Sequence, residues 1–560
     1  MNIKSNHLFK LRIILCLLIF LEAGCATPPK SAIASAHPLA SQAGFEILDV
    51  GGNAFDAAVA VSAALAVVEP SGSGLGGGGF WLLHRASDGK QVMIDGRERA
   101  PMAATRGMFL DANGNFDQSR SLNGALAAGI PGMPAAIVHM AEKYGELPIA
   151  QSLGPAIRYA REGFLVDEGY LRLIAFRAKV MKQYPSAASI FLHNKENPKP
   201  PFRLQQTDLA NTLEQIGKRG KAGFYQGSVG QALVAGVRSA GGIWTRKDLQ
   251  DYAIVERKPV IWNYKGIKIT SAAPPSSGGV VLTEALNILS AFDLANETKI
   301  NRKHLIIESM RRAYRDRARY LGDPDYIQMP LPRLLSAAYA EKLRSDIRID
   351  HAGFASETVD TAVDPVEGQN TTHFSVLDKA GNRVSATLSI NYPFGSCLVA
   401  KGTGVLLNDE MDDFVGQKGS PNTYGLTGGE ANAIEPGKRM LSSMTPTFLE
   451  DSERVAILGT PGGSRIISMV LLAILDFSEG HDVDSWVAVP RFHHQYEPDL
   501  VQYEKGGLSY DEIQLLEKKG HKFKEIKRHY GNMQAILWNK RNQSVTAASD
   551  PRKYGMAIVR

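Results

Sequence analysis

Cysteine is nearly absent: the 560-residue chain has three, and Cys16 and Cys25 lie within or at the end of an N-terminal leader. Cys397 is the only thiol of the body, so no internal disulfide framework can form and the fold must rest on its core. Long apolar runs are also scarce. Beyond the leader the longest is Ile466 to Leu475, interrupted by Ser468, which has the length of a buried helix and not of a membrane span. Neither sign of charge dominates. Of the formal +6, Lys4, Lys10 and Arg12 against Glu22 place +2 in the leader, and the remaining +4 is too small and too dispersed for a nucleic-acid surface. There is no HExxH and no Cys/His ligand spacing, and His493 and His494 are adjacent, so no catalytic metal or other cofactor is expected. Gly72 to Gly77 fits GxGxxG, but a helical run precedes it and a strand follows, the reverse of a dinucleotide-binding turn. Internal repeats and low-complexity tracts are missing.

What remains is an ordinary globular composition, 44% hydrophobic and 21% charged, with length enough for one large core or two. Basic residues followed by the apolar run Ile13 to Leu21 have the layout of a secretory signal, assigned to residues 1–25. Leu21-Glu22-Ala23-Gly24-Cys25 resembles the lipoprotein cleavage box, with Glu22 departing from the apolar residue expected there. Cys25 is therefore a candidate lipidation site, ordinary cleavage near Ala26 is the alternative, and a periplasmic location, anchored or free, is the expectation.

Gly44 to Val68 mixes small and apolar residues as closely packed helices do, with Gly51-Gly52-Asn53 as a break, and Phe80 to His84 reads as a strand. From about 130 to 350 the pattern is mostly helical: Val229, Leu233 and Val237 recur at i, i+4, i+8, and Leu209, Leu213 and Ile216 at similar spacing. The character changes where a polar stretch from Ser356 to Asn370 runs into Thr371. Val384, Ala386, Leu388 and Ile390 alternate with Ser385, Thr387 and Ser389, the period of a half-buried strand. Lys379-Ala380-Gly381-Asn382 is a turn signal, and a hairpin centred there pairs position 371 with 390, give or take one, bringing Ser389 and Asn391 beside Thr371. Val455 to Leu458, Gly459 to Ser464 and Arg465 to Leu475 read as strand, glycine turn and helix. That order either leaves backbone N–H groups free for an anion or is a plain tight turn.

Several stretches in order resemble the gamma-glutamyltransferase family, from about Ala36 to Arg552. They include Ala36-His37-Pro38, Gly51-Gly52-Asn53-Ala54, Glu69-Pro70, Gly74-Leu75-Gly76-Gly77-Gly78, Thr371-Thr372-His373-Phe374-Ser375, Met411-Asp412-Asp413-Phe414, Leu441-Ser442-Ser443-Met444, Pro461-Gly462-Gly463-Ser464 and Pro490-Arg491-Phe492-His493-His494. The chemistry of the residues agrees. A threonine hydroxyl is a poor nucleophile at neutral pH unless a base takes its proton, and an α-amine on the same residue can do so. Thr371 lacks that amine while its bond to Asn370 is intact. On local sequence alone, Thr371-Thr372 is equally a strand start of high β propensity.

The resemblance implies an α+β fold, the N-terminal-nucleophile hydrolase four-layer αββα sandwich. It also implies self-cleavage between Asn370 and Thr371 into a large subunit, 26–370, and a small one, 371–560, that stay together as a heterodimer. Thr371 then forms a gamma-glutamyl ester from amides such as glutathione, which water or an amino-acid or peptide acceptor resolves. By resemblance Arg97 grips the substrate α-carboxylate, with Arg99 two residues away as the competing choice, and Glu410 and Asp413 hold its α-ammonium. Some relatives carry glutamine at the position of Glu410, and a solvated acidic loop is the alternative for Asn408 to Asp413. Ser442 and Ser443 contact the carboxylate, Gly462 and Gly463 form the oxyanion hole, and Ser389, where relatives often have threonine, and Asn391 flank the nucleophile. Val415 to Arg439 is a lid that carries Tyr424, or a mobile linker. Within the family, a cephalosporin acylase or a poly-gamma-glutamate depolymerase is the alternative; outside it, a non-catalytic periplasmic peptide-binding lipoprotein.

Overall fold

The computed structural model describes residues 27–353, 371–417 and 419–560; Cys25 and Asn370 lie outside them. Two antiparallel sheets are stacked face to face. The first contains β1 (Ala32–Ser35), β2 (Gly78–Arg85), β3 (Lys90–Gly96), β4 (Val255–Arg257), β7 (Thr371–Leu377), β8 (Arg383–Ser389) and β13 (Met556–Val559), in the order β13-β1-β7-β8-β2-β3-β4. The second contains β5 (Val260–Tyr264), β6 (Ile267–Ser271), β9 (Thr447–Glu450), β10 (Arg454–Gly459), β11 (Gln534–Asn539) and β12 (Ser544–Ser549), in the order β12-β11-β10-β9-β6-β5. Both sheets contain strands from before and after position 371, side by side at the β1–β7, β8–β2 and β9–β6 pairings, so neither part of the chain completes a sheet alone.

Helices cover both outer faces. On the first sheet lie α1 (Pro38–Asp49), α2 (Ala54–Val68) and α3 (Met133–Tyr144), the first two joined at the Gly51-Gly52-Asn53 break, where Asn53 and Asp56 form a capping box that satisfies the first N–H groups of α2. Every residue of α2 is buried, and its many alanines allow close approach to Phe374, Val376, Val384, Ala386 and Leu388 in one core. On the second sheet lie α4 (Gly278–Leu289), α5 (Lys299–Tyr320) and α6 (Ile466–Ser478), which share the other core with β6, β9 and β10. The result is the four-layer α/β/β/α arrangement.

The hairpin β7–β8 forms in the expected place, with Thr371 opposite Ser389. Its turn is fastened by Asp378, whose carboxylate accepts from the N–H groups of Ala380 and Asn382 and also from that of Ala54 at the start of α2. One expectation is corrected. The serines and threonines of β8 do not face solvent, because the second sheet covers them. Ser385 donates to the Leu458 carbonyl at 3.0 Å, Ser375 to that of Gln534 at 3.1 Å, and Thr387 pairs with His373 Nδ1 at 2.8 Å. Each buried hydroxyl thereby keeps a partner, which is the condition for placing polar groups between two sheets. Burial lowers the pKa of His373 to about 3, so it is neutral there.

The stretch 130–350 is largely helical, with the two periodic segments inside helices Thr207–Arg219 and Gly227–Ser239. It also supplies β4, β5 and β6, which the helical reading missed. The glycine run before β2 is required by close approach: a Cβ on Gly77 would lie 2.1 Å from the Ser389 carbonyl oxygen and one on Gly76 2.0 Å from that of Leu406. Glycine there lets the backbone pass directly under the end of β8.

Candidate active site

Thr371 opens β7 at the mouth of the sandwich and is almost fully buried. Its Oγ1 lies 3.2 Å from Ser389 Oγ, and Ser389 Oγ also accepts the Asn391 N–H at 2.8 Å. Asn391 follows the end of β8 with φ +70, a conformation asparagine tolerates better than most residues. Its side chain donates to the Asp409 carbonyl at 3.0 Å, and its own carbonyl accepts from the Tyr424 hydroxyl at 2.8 Å. The hairpin register therefore delivers both flanking residues that the sequence placed beside Thr371.

A narrow recess opens from Thr371, lined by Arg97, Ser389, Asn391, Glu410, Asp413, Tyr424, Ser442, Ser443 and Gly463 among others, with about 20 Å³ of free volume. That is room for roughly one water molecule. Arg97 follows β3 directly and is buried. Its Nη1 donates to Glu410 and its Nη2 to Asp413, each at 2.5 Å, and its Nε to the Met440 carbonyl at 3.2 Å. Burial lowers the pKa of the guanidinium, but Glu410, Asp413 and Glu98 together outweigh it and hold its pKa above the ordinary arginine value. Arg99 instead donates to the Gly437 carbonyl and is not among the residues that line the recess.

The acidic loop is not solvated. Glu410 and Asp412 are buried, Asp412 accepts from Ser121 and the Thr423 N–H, Asp409 accepts the Tyr392 N–H, and Asp413 accepts from Asn422 as well as Arg97. Burial pushes the Glu410 carboxyl up to about 7, with Arg97 opposing the rise and Asp413 adding to it. Glu98 Oε2 lies 3.5 Å from Arg97 Nη1, and neither of its carboxylate oxygens is hydrogen-bonded among the described residues. Burial, then repulsion from Glu410, raises its pKa well above the ordinary range.

Ser442 Oγ accepts the Met444 N–H, leaving its own proton free, and Ser443 Oγ accepts from Arg317 at 3.1 Å. Arg317 was not singled out in the sequence. It lies buried on α5, bonds only to the hydroxyls of Ser277 and Ser443 among the described residues, and has its pKa lowered by burial. A second cation thus stands behind the serines with no salt bridge to a carboxylate among the described residues, Asp413 acting on it only through space. Gly462 and Gly463 take φ +145 and +58 at the turn before α6, and neither N–H enters a backbone hydrogen bond among the described residues. A Cβ on Gly463 would lie 2.4 Å from the Tyr424 ring, so the ring lies directly against this glycine.

On the other side of Thr371 is a far larger cavity, about 640 Å³, lined by Glu69, Asp167, Arg552, Lys553 and Tyr554 among others. Burial brings Glu69 up to about 7 and Lys553 down to about 8. The fold also gathers His304, Glu308 and His521, whose ligand atoms lie within 4.8 Å of one another. Glu308 is already paired with Arg311 and Arg312, whose charges oppose a cation, and none of the three lines either space beside Thr371.

Residues 40–559 match the family described as Gamma-glutamyltranspeptidase. The chain is similar to the glutathione hydrolase proenzymes of Pseudomonas sp. strain A14, 44% identical over 91% of this chain and 89% of that one, and of Escherichia coli K12, 41% identical over 93% and 90%. Among solved structures it superposes on the cephalosporin acylase of Bacillus halodurans with a TM-score of 0.84 at 27% identity, covering 95% of this chain and 96% of that one. It also superposes on the Helicobacter pylori gamma-glutamyltranspeptidase with 0.56 at 39% identity, covering 60% and 97%. With the match spanning nearly its whole length, the chain belongs to the gamma-glutamyltranspeptidase family.

Proposed function

We propose that this chain is a proenzyme that cuts itself between Asn370 and Thr371, yielding subunits of residues 26–370 and 371–560 that remain joined through their shared sheets. The freed α-amine of Thr371 then activates its own hydroxyl, which attacks gamma-glutamyl amides such as glutathione. The gamma-glutamyl ester passes to water or to an amino-acid or peptide amine. The observation that carries this reading is a buried arginine flanked by two carboxylates, one recess away from the threonine hydroxyl.

An α-amino acid head group is a zwitterion. Inserted into the recess, it exchanges the Arg97–Glu410 and Arg97–Asp413 pairs for Arg97–carboxylate and carboxylate–ammonium pairs, so every buried charge keeps a partner. Ser442 and Ser443 supply hydroxyl contacts to the carboxylate, with Arg317 behind them. The free N–H groups of Gly462 and Gly463 receive the oxyanion. A ligand without the ammonium leaves Glu410 and Asp413 facing each other unpaired. This supports a gamma-glutamyl donor over the acyl side chains of a cephalosporin acylase, although the fold is that of the Bacillus halodurans protein. The larger cavity beyond Thr371 suits the leaving group and the acceptor.

The leader residues support export to the periplasm, with Cys25 as the lipid-attachment site. Labelling of the expressed protein by radioactive palmitate, lost in Cys25→Ala, tests that point. For the activity, the purified protein should run as two bands with masses of residues 26–370 and 371–560, the smaller beginning at Thr371. It should release p-nitroaniline from gamma-glutamyl-p-nitroanilide. A single inactive chain would rule the reading out.

A further inference from the structure

Self-cleavage poses a problem that turnover does not. Before the bond to Asn370 breaks, Thr371 has an amide nitrogen and no amine, so the base that serves the mature enzyme does not yet exist. Among the described residues the Thr371 hydroxyl has one hydroxyl partner in reach, Ser389 Oγ at 3.2 Å. Ser389 Oγ already accepts the Asn391 N–H, which leaves one lone pair to take a proton from Thr371 and its own proton to give away. Glu410 lines the same recess as Thr371 and Ser389, and the Ser389 hydroxyl is among the groups that temper its raised pKa. Glu410 bonds Arg97 through Oε2, while Oε1 is buried with no hydrogen-bond partner among the described residues.

We propose that Glu410 is the proton acceptor for self-cleavage, reached from Thr371 through the Ser389 hydroxyl, before it becomes a binding group for donor substrate. The inference rests on Thr371 being the self-cleaving nucleophile. Thr371 Oγ passes its proton to Ser389, and Ser389 passes its own to Glu410 Oε1. The Thr371 oxygen attacks the Asn370 carbonyl carbon, the new C–O bond forms and the C–N bond breaks. The proton held on Glu410 is returned to the Thr371 nitrogen, which leaves as an amine. Water then hydrolyses the ester, giving its OH to the carbonyl carbon and its H to Thr371 Oγ. The same carboxylate serves both stages without conflict, because no substrate ammonium occupies the recess during maturation.

The groups that set the titration of Glu410 are Arg97 and Glu98 from the end of β3, Asp409 and Asp413 from its own loop, and Tyr424 from the covering segment. Its value of about 7 means that the acceptor form is lost below neutrality, so conversion of precursor to two bands should accelerate as pH rises through about 7.

The test follows freshly synthesised precursor on gels across pH 5.5 to 8.5. Glu410→Gln, which cannot take the proton, should convert about 10- to 100-fold more slowly with no inflection near 7. Ser389→Ala should be slowed comparably, and Ser389→Thr, which keeps the hydroxyl, should convert within a few-fold of wild type. Glu410→Asp should recover part of the rate with an inflection at another pH, and equal melting temperatures of the unprocessed variants exclude misfolding as the cause. If Glu410→Gln matures at the wild-type rate with the wild-type pH profile, the relay is wrong. A simultaneous rise in its donor KM would then leave Glu410 as a binding group only. Failure of the wild-type chain to cleave at all would instead overturn the reading of Thr371 on which the relay rests.

Discussion

The two spaces that meet at Thr371 differ in almost every physical respect. The recess around Arg97 has about 20 Å³ of free volume and is walled by buried charges already paired with one another, while the cavity beyond holds about 640 Å³ among groups of both signs. A site filled by its own ion pairs accepts only a ligand that replaces each pair, and it discriminates strongly because a missing partner leaves a charge buried. A roomy cavity with water and mixed charge can rearrange around many shapes. The proposed selection for the gamma-glutamyl head and the proposed tolerance toward leaving groups and acceptors both rest on this one asymmetry.

The threonine common to both spaces is the sharpest place to break the comparison. Thr371→Ala should abolish everything on both sides: a single uncleaved chain on a gel and no detectable turnover with any donor or acceptor. On the recess side, Arg97→Lys substitutes a point charge for a planar fork that makes three hydrogen bonds. Loss of about 2–3 kcal/mol is expected, a fall of roughly 30- to 150-fold in kcat/KM for gamma-glutamyl-p-nitroanilide, with fully cleaved enzyme still obtained.

Glu410 sharpens the comparison through pH. Its carboxyl is raised to about 7 in the empty site, and only the ionised form attracts an ammonium. Donor KM should therefore fall as pH rises through about 7 and level above it. In cleaved Glu410→Gln enzyme that limb should vanish, and KM at pH 8 should rise by roughly 5- to 30-fold, for a loss of about 1–2 kcal/mol. The des-amino analogue, with no cation to lose contact with, should be nearly unaffected; equal effects on both compounds would remove Glu410 from the ammonium site.

The larger cavity should respond more weakly. Lys553 is a cation in its wall, and Lys553→Met should raise the KM of amino-acid acceptors by about 3- to 10-fold, as expected for a partly hydrated charge. Donor hydrolysis in the absence of acceptor is the control. A donor effect as large as the acceptor effect would mean that the two spaces are not separate subsites.

How much of this could be read from the chain depends on whether a contact is local. Thr371, Ser389 and Asn391 lie on one hairpin, and the turn residues fix its register, so their proximity was legible to within one position. The alternating serines and threonines were legible as a strand face but not as a buried one, because that depends on the second sheet closing over them. Strands β4 to β6 were hidden inside a helical stretch, being short and paired with distant partners. Arg97 was separable from Arg99 only by motif, and the structure separates them by burial. Arg317 is one of six arginines on α5, and nothing local marks the one that turns toward Ser443. Nothing local marks Glu98 as a buried acid either. Long-range packing decides all of these.

The smallest expected effect concerns the cover over the recess. Tyr424 spans both halves of the catalytic geometry: its hydroxyl donates to the Asn391 carbonyl at 2.8 Å, and its ring lies against Gly463. On the proposed lid role, a donor enters when this residue swings away and the occluded complex forms when it returns. Tyr424→Phe keeps the ring and its packing but removes the bond that favours the covered state. A hydrogen bond of this kind contributes about 0.5–1 kcal/mol net, so the covered state should lose roughly 2- to 5-fold in population. Donor KM should rise by about that factor, and the acyl-enzyme, more often open to solvent, should divert correspondingly more of its gamma-glutamyl group to water at fixed acceptor concentration. Acceptor-free kcat should change little, because the N–H groups of Gly462 and Gly463 are untouched. The measurement is the ratio of transfer product to free glutamate in wild type and variant. An unchanged ratio together with an unchanged KM would mean that the ring alone holds the cover, and that the bond to Asn391 forms without biasing it.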